Sequence, residues 1–151
     1  MVPMFDTTGW PFPANGWPAW VFEAPYSAAA HPQQSQRRPI GEGANCQRYA
    51  YGILALFGQT VPNHRSSELW DDVGFDHPAV HDAANLDVAL FSPDGSAWGA
   101  HVAVVMGDRL LHLSAEVGRP AVWRWDDFAA RDRYRRLVGL VRCRTAGSGA
   151  G

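Results

Sequence analysis

Three side chains in this sequence are of the types that nucleophilic acyl chemistry needs: Cys46, His101 and His112. Cys46 follows Asn45, a good helix N-cap, and opens a run in which Ala50, Ile53, Leu54 and Phe57 recur at helical spacing. The spacing predicts a helix over 46–57, with Gly58 placed to end it. A thiol in the first turn feels the positive end of the helix dipole and its unpaired N–H groups, which favour the thiolate. The alternative is a cysteine merely packed on a core helix, since free cysteine is among the most buried residue types. His101 and His112 stand on consecutive predicted strands, across a tight turn. A thiol, an imidazole within hydrogen-bond reach and a third polar group that fixes the ring make an activated cysteine.

The elements that must position these groups change character along the chain. Residues 1–38 are rich in Pro, Gly and Trp and have no sustained period. Proline rules out long regular elements there, so an irregular arm is expected, laying Trp10, Trp17 and Trp20 on the domain or walling a cleft. After the Cys46 helix, Ser66 or Ser67 is expected to cap a second short helix, and Asp76 a helical turn within 71–85. From residue 86 the pattern is that of strands: 86–91, 101–106, 109–114, 121–125 and 137–143, separated by turns such as Pro93-Asp94-Gly95 and Gly107-Asp108. Asp126 or Asp127 is expected to cap a short helical turn through Arg131. Helices first and an antiparallel sheet after them is the α+β class. The expected organisation is an arm over 1–38, a domain over 39–145 and a flexible tail over 146–151. His77 and His81 lie four apart beside Asp76 and Asp82. No third ligand cluster has clear spacing, so no metal site is assigned and a solvated surface turn is expected there.

Taken in order, these pieces resemble the NlpC/P60 family of papain-like cysteine peptidases. That family has Asp-Cys-Ser-Gly at a helix start, a Leu-Pro-Arg-Thr-Ser-like segment and a Gly-Asp-Leu-Val-Phe-Phe-like strand. A His-Val-Gly-Ile-Tyr-like strand and a second histidine on the partner strand follow. The corresponding stretches here are Asn45-Cys46-Gln47-Arg48, Val61-Pro62-Asn63-His64-Arg65-Ser66, Leu86-Asp87-Val88-Ala89-Leu90-Phe91, His101-Val102-Ala103-Val104-Val105 and Leu111-His112-Leu113. The resemblance covers roughly residues 40–143 and implies a papain-like fold with a catalytic Cys46, His101 and His112. It implies amide hydrolysis through an acyl-enzyme, on peptides that contain D-amino acids or a γ-glutamyl link, with no cofactor. Asn45 and Gln47, standing where the family has Asp and Ser, and Arg65 are the candidate substrate-binding residues. Tyr26 is the candidate for a tyrosine that family members place upstream of the cysteine. Acyl transfer on the same fold, or a papain-like binding module without activity, are the alternative functions.

Composition narrows the partners. The chain has 151 residues, the size of one domain, and a formal net charge of −2, which gives no electrostatic footprint for nucleic acid. Its 13 cations are all arginine, and its two cysteines, Cys46 and Cys143, make no disulfide framework. No apolar run approaches a membrane span, so no membrane partner is expected. The first residues lack the basic start and apolar run of a signal peptide, which points to a cytoplasmic protein unless export takes another route. The expected partner is a small peptide or cell-wall-derived substrate; no oligomeric state is assigned.

Overall fold

A computed structural model describes residues 5–143. The tail expected over 146–151 lies outside them. The chain is α+β. Among the described residues the strands are β1 (Val88–Ser92), β2 (His101–Met106), β3 (Arg109–Leu113), β4 (Pro120–Trp123) and β5 (Arg136–Val141). They form one antiparallel sheet in the order β4-β3-β2-β1-β5. Among the described residues, four short α-helices accompany it: α1 (Trp20–Glu23), α2 (Cys46–Ala55), α3 (Ser66–Asp71) and α4 (Trp125–Ala129).

The period of two along the strands divides the core. Val88, Leu90, Val102, Val104, Met106, Leu111 and Leu113 point to one face and pack with Tyr49, Ile53 and Leu54 of α2. Ala89, Phe91, Ala103, Val105 and Leu110 point to the other and pack with Phe128 of α4 and Tyr134. Both faces are therefore covered, which explains why the strands read as continuous apolar runs instead of alternating ones.

The arm supplies a second layer over α2. Trp17 meets Phe57 edge-on at 5.7 Å between ring centroids, and Trp20 meets Tyr49 at 5.8 Å. The buried Tyr49 hydroxyl donates to the Val21 carbonyl. All three tryptophans are half-buried against the core. α1 is the arm's one helix among the described residues, and it lasts a single turn.

Several boundaries differ from expectation, each for a local reason. Ser66 is not a cap: it is the first residue of α3, is buried, and its hydroxyl donates to the Ala100 carbonyl. The cap position belongs to Arg65, whose N–H is accepted by the Glu68 carboxylate at 2.9 Å. Asp76 does not hold the cap position: its backbone bridges to Arg142, and the helical turn comes later, at Val80–Asp82, with Ala79 at its cap position. α4 starts at Trp125, because Asp127 accepts the Arg124 N–H from inside the helix. β1 starts at Val88 and not at 86, since Leu86 takes a left-handed φ of 75° and leaves the strand conformation. His77 lies on a surface turn, where its Nδ1–H donates to the Leu140 carbonyl at 2.9 Å and its ring packs on Trp70. His81 is exposed.

Trp70 also fixes β5. Gly139 pairs with Leu90, and a Cβ built there would overlap the Trp70 ring. Gly139→Ala is expected to cost about 2–3 kcal/mol by overpacking, a fall in Tm of about 5–10 °C in thermal denaturation. An unchanged Tm would show that Trp70 does not need the bare backbone.

Candidate active site

The site lies at the end of the sheet where β2 begins. His101 is the first residue of β2, and its ring packs with Phe128 and Tyr134 on the α4 face. Cys46 is the first residue of α2, which covers the opposite face. At the strand end the two faces meet, and a cavity of about 320 Å³ opens there. Cys46, His101, Asn45, Gln47 and Arg65 all line it. His112 does not: it is 1% exposed and stands behind His101.

Local chemistry holds each wall. Asn45 has an extended backbone and its side chain accepts the Arg48 N–H at 2.9 Å, so the first turn of α2 is capped as expected. The Asn45 amide donates to Gln47 Oε1 at 3.2 Å, and Gln47 Nε2 donates to Ser66 Oγ at 2.6 Å. With the Ser66 bond to Ala100, this buried chain ties the start of α2 to the residue before His101. Asn45 and Gln47 are therefore spent largely on positioning. Tyr26 enters the wall because its backbone pairs in parallel with Ala44, two residues before Cys46.

The histidines are joined by a bond of 2.9 Å between His101 Nε2 and His112 Nδ1. Proton placement follows from counting. If His101 is to accept a thiol proton at Nδ1, its Nε2 must carry the hydrogen and donate to His112 Nδ1. His112 then carries its own hydrogen on Nε2, which is buried without a hydrogen-bond partner. Around that ring lie Trp123, at 4.3 Å between centroids, and Phe128, at 4.8 Å. An N–H enclosed by aromatic rings is tolerated there. In that tautomer His101 Nδ1 is free to act as a base.

Burial also sets the charges. It pushes the His101 imidazole down to about 3 and, with His101 and Arg131 adding to it, His112 down to about 2. Both rings are neutral at pH 7. Burial likewise pushes the Cys46 thiol up, although the N–H groups of Val102 and Gln47 and the charge of Arg65 pull it down. The thiolate expected from the helix start is not favoured. A dipole contribution of about 1 kcal/mol or less is outweighed by desolvation, and no imidazolium is present to add to it.

Among the lining residues that escaped the sequence reading, Arg133 and Tyr134 carry the polar side chains of greatest reach. They belong to a short 3-10 turn, Asp132–Tyr134, that the strand pattern did not register. An aromatic beside arginines just before the last strand was the available signal. No aspartate or glutamate is among the described lining residues, so Arg65 and Arg133 give the cavity a positive character.

The neutral state predicts how the thiols react. Iodoacetamide labelling of Cys46 should rise about tenfold per pH unit from pH 6 to 9 without a plateau, because only the thiolate reacts. Cys143, buried and pushed up to about 12, should label far more slowly. His101→Ala should leave the Cys46 profile nearly unshifted. Peptide mapping of labelled protein reads both sites, and a plateau already reached at pH 6 would contradict the neutral pair.

Comparison with known proteins adds the fold. No protein-family profile matches the chain, and no curated protein matches it. Among solved structures, the chain is similar to an NlpC/P60 family protein from Bacillus cereus ATCC 10987, with a TM-score of 0.52 at 18% identity. The match covers 66% of this chain and 32% of that protein, so the chain spans about a third of its length. At this identity the likeness is one of fold. No helix of the described residues is long and apolar enough to cross a membrane.

Proposed function

We propose that this protein is a cysteine hydrolase of papain-like, NlpC/P60 type that cleaves an amide bond in a small peptide. The observation that carries the reading is that Cys46 and His101 line one cavity while His101 is bonded from behind to His112. The likeness of fold to an NlpC/P60 protein supports the same direction. The catalytic unit is residues 39–145, with the arm as its packing layer.

The reaction starts from the neutral pair. As the Cys46 sulfur attacks the carbonyl carbon, its proton passes to His101 Nδ1. The imidazolium keeps its Nε2–H on His112 Nδ1, and His112 stays neutral as an acceptor. The Cys46 backbone N–H and the Tyr26 hydroxyl hold the oxyanion. The C–N bond then breaks, and the imidazolium gives its proton to the leaving amine. Water, deprotonated by His101, cleaves the thioester and restores the thiol. Arg65 and Arg133 suit a substrate with a free carboxylate near the scissile amide, as a γ-glutamyl or muropeptide-like compound has.

A binding module is the second reading, and the raised thiol favours it. Incubation with a panel of muropeptides and dipeptides, followed by mass spectrometry, separates the two. The hydrolase reading predicts cleavage products from wild type and none from Cys46→Ala. His112→Ala, folded, should retain activity reduced roughly 100-fold, since an orienting group is partly replaceable. Bound but uncleaved peptide across the panel would favour the binding module.

A further inference from the structure

A second cavity, of about 270 Å³, lies on another side of α2 and is lined by Arg37, Arg48, Gln59 and Asn63 among others. Nothing in the proposed chemistry uses it. Arg48 is only 8% exposed, and its Nη2 donates to the Arg38 carbonyl. Its Nη1 has no hydrogen-bond partner. Arg37 adds a second guanidinium to the same wall, where its Nη1 donates to Asn63 Oδ1 at 2.6 Å. No acidic side chain is among the described residues that line the cavity.

An arginine removed from water keeps its charge, so it needs an anion nearby. Here the charged group closest in influence is another cation, and both that charge and burial work against Arg48. Cores that keep a buried guanidinium normally pair it with a carboxylate of the chain. This chain instead leaves two guanidinium groups beside an open space near the lower end of small-molecule pocket sizes, about 300 Å³.

We propose that this cavity binds a small oxyanion, a carboxylate or a phosphate, between Arg37 and Arg48. The planar forks of arginine match either anion with two parallel hydrogen bonds. A turn of the long Arg48 side chain brings Nη1 to the ligand. The buried Gln59 Oε1, also without a partner, accepts from a hydroxyl or amide N–H on the same molecule. The best ligand therefore carries a donor a few bonds from its anionic group. The site is separate from the thiol cavity, yet Arg48 shares the first turn of α2 with Cys46, and its N–H is held by the Asn45 cap.

Thermal denaturation with acetate, lactate or inorganic phosphate tests the site, with ionic strength held constant by potassium chloride. The wild type should show a saturable rise in Tm of about 3 °C or more with at least one of the three. Lactate ahead of acetate identifies a hydroxy-carboxylate preference, and phosphate ahead of both identifies a phosphate site. Arg37→Ala, a change at an exposed residue, should weaken the apparent affinity at least tenfold, and Arg48→Gln should abolish the response. Arg65→Ala, which alters the other cavity, should leave it intact. A rise no larger than the chloride control overturns the proposal. So does a response that survives Arg37→Ala or disappears in Arg65→Ala.

Discussion

The site depends on the register of one hairpin. β2 and β3 are joined through Gly107 and Asp108, with Met106 facing Arg109. Gly107 takes a φ of 65°, which the first central position of a type II′ turn requires and which glycine alone adopts at no cost. The pairing that follows sets Val104 opposite Leu111. Continued one step further, it sets His112 opposite Ala103 and therefore diagonal to His101 on the same face. Diagonal neighbours on one face are within reach of two aromatic rings, and the bond of 2.9 Å is the result. A slip of one residue would send the ring of His112 through the sheet to the α2 side.

The second constraint is the enclosure itself. Phe128, Trp123 and Tyr134 hold the two imidazoles in place and also strip them of water. The same packing that fixes geometry removes the charge that would have activated the thiol. A neutral His112 steadies an imidazolium less than a carboxylate would. What remains is a neutral imidazole pair and a neutral thiol on the same cavity, with backbone N–H groups of Val102 and Gln47 turned to the sulfur. In the proposed reaction, charge would arise at such a site only as bonds change.

Much of this was legible in the sequence because it depends on local patterns. The Asn45 cap, the apolar spacing of α2 and the left-handed Gly58 after it follow from helix geometry. The five strands follow from β-rich runs between turn residues, and the antiparallel pairing of β1 through β4 from the short links between them. What was not legible depends on contacts far apart in sequence. Ser66 reads as a cap until the Ala100 carbonyl claims its hydroxyl across 34 residues. Arg133 and Tyr134 reach the cavity only because β5 returns beside β1. The thiol's raised proton affinity is a tertiary property too, since a helix start alone would lower it.

The measurement that bears most directly on Cys46 as a nucleophile served by His101 is acid-quench mass spectrometry with an activated ester of a small acyl group. Intact mass and peptide mapping report any acyl group left on the protein within milliseconds of mixing. The account predicts one acyl group, on Cys46, formed in wild type and formed far more slowly in His101→Ala at the same pH. An adduct absent from Cys46, or formed at equal rates in both proteins, would contradict it.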